Sequence, residues 1–338
     1  MAPSGTDSIV VPFEASDFPL DSPLNGSHAL QFQWDELLWA SITVGKAPRD
    51  VLRHGRYSYA EILHRVSCLH AYYDIGNSRR LVVSPAFRTL DSTEKGLVSF
   101  YLGMAMAKLY ADKMLGIPWM MHISRYGSPW AVRFGANTNR PDLFGCNAFG
   151  QWAVAEAKGR SRVTARLVTK MKQQKSAVAT IKRVPPAFRY GSATRFEGGD
   201  LALRVVDPPP RRRAEDIPLD PAAWLLDYYR PVVDLLDGAA TRREGEAIIG
   251  QLPGADVEFG VPAEIAELVR ESRNRPLNRP GPRPAPAQDL ADLPSSLVEQ
   301  TDGEEEKMMV ERVTSSVRDV IELEGSTNDG VIVRSRRR

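Results

Sequence analysis

The sequence predicts an α/β fold in which a central mixed sheet is flanked by helices. Apolar residues recur at three- and four-residue spacing over residues 34–42 and 59–73, which indicates helices. They alternate with smaller residues over 151–158, which indicates a strand. Between about residue 90 and residue 183 the predicted order is helix, strands, an acidic strand pair, helix and strand, as expected of helices layered on one sheet.

Composition excludes several classes of protein. The chain has 338 residues, enough for one large domain or two, and its 43% apolar residues suffice for a core. Its two cysteines, Cys68 and Cys146, exclude a disulfide framework, and its five scattered histidines offer no zinc cluster. The N-terminus lacks the pattern of a signal peptide, and no apolar stretch reaches the roughly 20 residues that span a bilayer. We therefore expect a cytoplasmic protein that does not bind membranes.

Shifts in composition divide the chain into five parts. Residues 1–27 are rich in proline, serine, glycine and aspartate and are interpreted as a flexible arm. Residues 28–240 are the predicted folded domain, and 241–273 a helical C-terminal extension. Residues 274–296 are a proline-rich linker, and 297–338 a charged tail that we expect to be disordered. The linker and tail suit the docking of a protein partner.

Local signals place the elements along these parts. Asp91, with Glu94 three residues later, predicts the start of a helix, and Gly116 with Pro118 predicts its end. Residues 137–141 have turn chemistry. The remaining patterns predict strands at residues 81–83, 119–123, 130–134, 142–145, 151–158, 178–182 and 201–206, and helices at residues 162–175, 221–236, 262–270 and 305–323.

One segment, residues 140–160, combines acidic and basic residues in a pattern typical of catalysis. Asp142 begins one predicted strand, and Glu156 follows fourteen residues later near the end of the next, with Lys158 two residues beyond it. Side chains alternate along a strand, so Glu156 and Lys158 share a face and Ala157 points away. If the two strands form a hairpin, Asp142 lies beside Glu156.

Two adjacent carboxylates repel each other unless a hard cation lies between them. Mg²⁺ (or Mn²⁺) favours carboxylate and water oxygens, polarises a phosphate and lowers the pKa of a bound water. A neighbouring lysine can orient that water and offset charge in the transition state. Carboxylate, carboxylate and ammonium therefore suit the hydrolysis of a phosphodiester.

This segment resembles the motif of the PD-(D/E)xK nuclease superfamily, which includes many restriction endonucleases and repair nucleases. The match consists of Pro141-Asp142 and Glu156-Ala157-Lys158, and the order of elements over about 91–183 is also similar. The resemblance implies a restriction-endonuclease-like core. Gln173 and Gln174 follow on the next predicted helix but lack the tyrosine of the RecB-like branch, so that branch is not assigned.

The resemblance also implies roles for individual residues. Asp142 and Glu156 would be metal ligands, the Ala157 carbonyl a further ligand, and Lys158 the catalytic lysine. Glu94 would supply the acidic residue that many members carry on the first core helix. Its alternative role is helix capping. His122 could contact substrate, or it could be a satisfied, partly buried histidine.

Two other interpretations of the motif stay open at this point. Glu156 and Lys158 could form an ordinary charge ladder on a solvated face. The chain could also be an inactive member of the same fold.

A basic run follows the motif directly. Residues 159–196 contain no Asp or Glu, and ten residues are basic. A solvated helix normally mixes charges, so a run of this kind predicts an external counter-charge, with nucleic-acid phosphate as the expected one. The predicted nucleic-acid-binding residues are Arg160, Arg162, Arg166, Lys170, Lys172 and Lys175.

Together these patterns predict a metal-dependent nuclease that hydrolyses DNA phosphodiester bonds, and by fold-level analogy they suit a restriction or host-defence setting. RNA is an open alternative substrate. The rival function is that of a catalytically inactive subunit that binds nucleic acid or takes part in an assembly.

Overall fold

The computed structural model describes residues 3–44, 56–123, 141–159, 163–174, 178–207, 215–217, 219–252, 254–274 and 298–335. These residues form a mixed α/β structure with a large mixed sheet flanked by helices. None of the described helices is both long and apolar enough to cross a membrane.

The main sheet has nine strands, and a two-stranded and a four-stranded sheet accompany it. The path through the main sheet is β2-β1-β10-β9-β7-β6-β5, with β3 and β4 branching from β10. Its strands are β1 (Ser8–Ser16), β2 (Gly26–Gln33), β3 (Tyr73–Ile75), β4 (Leu81–Val83), β5 (Trp119–His122), β6 (Leu143–Cys146), β7 (Trp152–Gly159), β9 (Phe188–Glu197) and β10 (Asp200–Val206). The two-stranded sheet joins β8 (Val178–Ile181) to β11 (Glu215–Ile217), and the four-stranded sheet contains β12 (Thr241–Glu244), β13 (Ala247–Leu252), β14 (Val257–Pro262) and β15 (Ile332–Ser335).

Helices cover both faces of the main sheet. They are α1 (Trp34–Val44), α2 (Arg56–Tyr72), α3 (Pro85–Thr89), α4 (Ser92–Leu115), α5 (Ala165–Gln174), α6 (Pro221–Asp237), α7 (Ala263–Asn274) and α8 (Val298–Val320). Tyr190 of β9 donates its hydroxyl proton to the Ala107 carbonyl of α4, at 2.7 Å. A Cβ on the next residue, Gly191, would lie 2.9 Å from the Met171 Cβ of α5. Because successive strand residues point to opposite faces, α4 and α5 lie on opposite sides of the sheet.

The helix before the acidic hairpin is formed as its sequence predicts. Asp91 caps α4 by accepting hydrogen bonds from the Thr93 and Glu94 amides, and the Glu94 side chain accepts from the Asp91 amide, at 3.2 Å. Gly116 ends the helix in the left-handed conformation, with φ of 64°, which glycine adopts without steric cost. The capping box and Gly116 are features of the local sequence, so both ends of α4 could be predicted without knowledge of its contacts.

The expected flexible N-terminal arm, residues 1–27, contains strand β1 instead. Strand β1 pairs antiparallel with β2 and parallel with β10, inside the main sheet. Its side chains alternate, and Ile9, Val11 and Phe13 are buried. The proline and serine content of this segment indicated an arm, although the residues of β1 alternate between buried and less buried positions. The first strand begins at Ser8, so the folded domain does not begin at residue 28.

The expected helical extension, residues 241–273, forms β12, β13 and β14 before helix α7, so only its second part is helical as expected.

The expected disordered tail, residues 297–338, is also wrong over its described part. Helix α8 packs against α6 and α7, and β15 adds an edge strand to the four-stranded sheet. Val313 and Val317 of α8 are buried, as is Asp329 in the following turn. The predicted linker, 274–296, lies outside the described residues apart from Asn274, which ends α7.

The sequence patterns also missed a central strand. Strand β9 lies between β7 and β10, whereas the predicted strand at 178–182 is β8 of the small two-stranded sheet. Helices cover β9 on both faces, and small residues such as Gly191 and Ala193 allow them to approach. A strand covered on both faces lacks the alternation of apolar and polar residues that identifies a half-buried one. The predicted strand at 130–134 lies outside the described residues.

Candidate active site at the end of the acidic hairpin

The hairpin of β6 and β7 brings Asp142, Glu156 and Lys158 to one face of the main sheet. Leu143 pairs with Ala155, and the Asp142 amide donates to the Ala155 carbonyl at 3.0 Å. Asp142 precedes one member of this pair and Glu156 follows the other, so both side chains leave the same face of the sheet. Lys158 lies two residues farther along β7 and shares that face.

The three side chains contact one another. The Lys158 ammonium forms an ion pair with Glu156 and lies 3.4 Å from Asp142 Oδ2. The same Asp142 oxygen accepts a hydrogen bond from the Ala157 amide at 2.9 Å. The backbone of β7 therefore fixes the Asp142 carboxylate, and the lysine lies against both acids.

Glu156 is the most unusual member of the group because it is 0% exposed. Neither of its carboxylate oxygens has a hydrogen-bond partner of acceptable geometry among the described residues. Burial is the largest cause that raises the pKa of the Glu156 carboxyl, and with the negative charge of Asp142 it brings the pKa to about 8 against the opposing effect of the Lys158 ammonium. The charge of a buried carboxylate beside a second one needs a cation, which the Lys158 ammonium supplies here and which a metal ion can also supply.

Close packing of α4 against β7 sets the position of the strand end that carries Lys158. A Cβ on Gly159 would lie 1.7 Å from the Ser99 carbonyl oxygen, and one on Gly103 would lie 2.6 Å from the Gly159 amide nitrogen. On the neighbouring strand, the Thr194 hydroxyl donates to the Lys158 carbonyl at 3.2 Å. The contact with α4 and the hydrogen bond from Thr194 therefore restrict the backbone position of Lys158. Neither Gly103 nor Thr194 was predicted as a site residue, because no local signal in the sequence indicates them.

Glu94 is engaged elsewhere. Its carboxylate completes the capping box of α4, and it lies more than one helical turn before Ser99, where α4 meets β7. The structure therefore gives Glu94 the capping role that was its alternative, and it does not bring Glu94 to the three residues above.

His122 also lies apart from them. It pairs with Leu143, whose side chain leaves the sheet on the face opposite to Asp142. It is partly buried, as the alternative interpretation of this residue expected.

The basic run after β7 divides into paired and unpaired residues. Lys172 of α5 forms an ion pair with Asp17 at 3.1 Å, and Lys182 forms one with Glu306. For these two lysines carboxylates distant in the sequence supply a counter-charge, and nucleic-acid binding by Lys172 stays a prediction. Arg166 and Lys170 are exposed one turn apart on α5, with no ion pair to a described residue. Arg160, Arg162 and Lys175 lie outside the described residues.

Helix α5 covers the face of the sheet on which the candidate site lies. Glu156 pairs with Gly191 of β9, and Gly191 is the residue that Met171 of α5 covers. The exposed side of this helix carries Arg166 and Lys170, so both cations are borne by the helix that packs beside the site.

The acidic residues of the site suit a magnesium ion. No group of three or more His, Cys, Asp or Glu side chains able to hold a metal occurs among the described residues. Mg²⁺ is commonly held in proteins by one or two carboxylates, with water and substrate oxygens completing its shell. Asp142 and Glu156 provide these two carboxylates, and the side-by-side placement of the two acids fits a bound cation. The Ala157 carbonyl remains a predicted further ligand.

Comparison with protein-family models, with curated proteins and with solved structures returns no match for this chain. Any functional conclusion therefore rests on the residues and their geometry.

Proposed function

We propose that this chain is a metal-dependent nuclease of the PD-(D/E)xK type with a restriction-endonuclease-like core, and that it hydrolyses DNA phosphodiester bonds. The observation that carries the proposal is the placement of Asp142, Glu156 and Lys158 in mutual contact on one face, with the Glu156 carboxylate fully buried against the Lys158 ammonium. Keeping two carboxylates this close is costly for the fold. Such a cost is typical of a catalytic site.

Each residue has a defined task in the proposed reaction. Asp142 and Glu156 would hold Mg²⁺, which when bound polarises the scissile phosphate and acidifies a water molecule. Asp142 keeps its orientation because one oxygen accepts from the Ala157 amide, which leaves Oδ1 for the ion. The Lys158 ammonium, released from the carboxylates, would donate hydrogen bonds to the attacking water and to the phosphate, where it offsets negative charge.

The rival function is that of an inactive subunit that binds nucleic acid. The ion pairs of Lys158 with both acids support it, because a protein without metal can hold the three groups in this way as a static cluster. The two functions differ in their response to divalent cations.

The test is a cleavage assay with plasmid, linear duplex, single-stranded DNA and RNA, each in Mg²⁺, Mn²⁺ or EDTA. We expect cleavage of DNA that requires the cation and is lost in Asp142→Ala. Arg318→Ala, at an exposed position of α8, serves as the matched surface control and should cleave like the unmodified protein. Absence of cleavage with every substrate and cation, with DNA binding intact in Asp142→Ala, would favour the inactive subunit.

Arg166 and Lys170 of α5, which form no ion pair with a described residue, lead to a separate prediction about DNA affinity. Each cation that neutralises a phosphate contributes about one unit to the slope of log affinity against log salt. Replacing both Arg166 and Lys170 by alanine should therefore weaken duplex binding and reduce the slope by about two units. Fluorescence anisotropy at several salt concentrations measures both quantities. The double variant Lys307→Ala/Arg318→Ala removes two exposed cations from α8 and should leave the slope unchanged; equal effects of the two double variants would contradict a DNA path along α5.

A further inference from the structure

The Lys158 carbonyl accepts a hydrogen bond from a side chain on the far face of the main sheet. The Thr194 hydroxyl of β9 donates to this carbonyl oxygen at 3.2 Å. Tyr190, four residues earlier on β9, bonds to α4, so by alternation the Thr194 side chain also lies on the α4 face. The Lys158 ammonium lies on the opposite face, against Glu156 and Asp142. Thr194 can therefore influence the candidate site only through the backbone of β7.

This hydrogen bond is made at the end of β7. Gly159 is the last residue of the strand and pairs with Thr194. Helix α4 lies against the same peptide group, since a Cβ on Gly103 would come within 2.8 Å of the Lys158 carbonyl carbon. The helix limits the movement of this peptide group towards α4, and the Thr194 hydroxyl fixes the direction of its carbonyl. Thr194 is itself 2% exposed, so the bond is shielded from water.

The end of β7 positions two groups of the candidate site. The Lys158 side chain leaves the strand here, and the amide of the preceding residue, Ala157, donates to Asp142 Oδ2 at 2.9 Å. A shift of this strand end would displace the ammonium and the carboxylate together. Displacement of a reacting group by about 1 Å can lower a reaction rate by roughly a hundredfold. The rate of the proposed reaction should therefore depend on the contacts that fix this strand end.

A second buried hydroxyl on β9 provides an internal comparison. Ser192 lies two residues before Thr194 on the same face of the sheet and pairs with Ala157. It is 0% exposed, and its hydroxyl has no hydrogen-bond partner among the described residues. The two residues thus share strand, face and burial, and they differ in the hydrogen bond to Lys158. Comparing them separates the effect of that bond from the effect of a buried polar group.

We propose that Thr194 is a positioning residue for Lys158, and that it acts by fixing the backbone from which the ammonium extends. The proposal rests on the proposed nuclease function, in which Lys158 is the catalytic lysine. Thr194→Val keeps the shape of the side chain and removes the donor, which leaves the Lys158 carbonyl without this hydrogen bond. The end of β7 then has more freedom, and the ammonium spends less time in position beside the attacking water.

Steady-state cleavage of a linear duplex in Mg²⁺ tests the proposal. We expect kcat to fall by about tenfold to a hundredfold in Thr194→Val. KM should be unchanged, because Thr194 lies on the face away from the substrate. Thr194→Ser keeps the hydroxyl and should retain most of the rate. Ser192→Ala is the matched control and should cleave like the unmodified protein, because the hydroxyl that it removes bonds to no described residue.

Hydrogen exchange at the amides of residues 155–159, without Mg²⁺ or DNA, gives a second readout that requires no activity. It should be faster in Thr194→Val and unchanged in Ser192→Ala. Unchanged kcat in Thr194→Val, or an equal loss in Thr194→Val and Thr194→Ser, would overturn the role of Thr194 and leave the nuclease function intact. Absence of cleavage by the unmodified protein would instead overturn the nuclease function, and faster exchange would then show that the hydrogen bond is structural only.

Discussion

Glu156→Gln is expected to stabilise the metal-free protein at alkaline pH and to slow metal-dependent cleavage strongly. Burial, reinforced by Asp142, raises the pKa of the Glu156 carboxyl from 4.5 to about 8. A carboxyl with a raised folded-state pKa binds its proton more tightly when the chain is folded. Its contribution to stability is therefore fully present below about pH 4.5 and is lost as the pH rises through about 8.

The size of this loss follows from the shift in pKa. Ionisation of Glu156 should cost at most roughly 5 kcal/mol of folding free energy at about pH 9. Glutamine keeps the shape of the side chain and has no charge to bury. We expect the variant to be more stable than the unmodified protein by roughly 2 kcal/mol or more at about pH 9, and equally stable at about pH 4. Urea unfolding at both pH values measures the difference.

The effect of Mg²⁺ on stability and the rate of cleavage provide a second test of the same substitution. Mg²⁺ should raise the stability of the unmodified protein at alkaline pH and leave that of Glu156→Gln unchanged, because only the carboxylate binds the cation strongly. Loss of this ligand should lower the cleavage rate by about a hundredfold to a thousandfold.

Glu94→Gln is the matched control, since glutamine also completes a capping box. Its stability should change by less than about 0.5 kcal/mol, and its cleavage rate should be retained. Loss of cleavage in Glu94→Gln would assign Glu94 to the catalytic site after all. A Glu156→Gln protein that is less stable at alkaline pH than the unmodified one would show that Glu156 is a structural ion-pair partner of Lys158.

The parts of the site that could be predicted from sequence are those fixed by local geometry. The period of two along a strand places Glu156 and Lys158 on one face, and a hairpin suffices to bring Asp142 beside them. The capping box of Asp91 and Glu94 is equally local. The burial of Glu156 could not be predicted, because the helix and the strand that pack beside it belong to other parts of the chain.

The parts of the fold that escaped prediction depend on contacts between residues distant in the sequence. Asp17 and Glu306 pair with Lys172 and Lys182, so an acid-free run of sequence does not correspond to an acid-free surface. The tail was expected to be disordered because its composition is charged. Its order depends on a buried partner, Lys108, more than two hundred residues earlier, and composition alone cannot reveal such a partner.

Asp329→Ala is expected to cause the largest loss of stability among single substitutions in the C-terminal segment. The Asp329 carboxylate is 2% exposed and lies 3.2 Å from the ammonium of Lys108, which is itself 3% exposed. It also accepts hydrogen bonds from the Trp39 indole N–H at 2.8 Å and from the hydroxyls of Tyr228 and Thr327. Although burial opposes ionisation, Lys108 and these donors hold the pKa of Asp329 below its ordinary value.

Alanine at position 329 would leave the Lys108 ammonium buried without its carboxylate, and removing one member of a buried ion pair costs roughly 3–5 kcal/mol. The orphaned Trp39 and Tyr228 donors add to that cost. Because this segment holds α8 and β15 on the body, hydrogen exchange should accelerate first in these two elements. Arg312→Ala removes an exposed ion pair with Glu264 and should cost less than about 1 kcal/mol. Equal losses in the two variants, measured by urea unfolding, would show that Asp329 does not anchor the C-terminal segment.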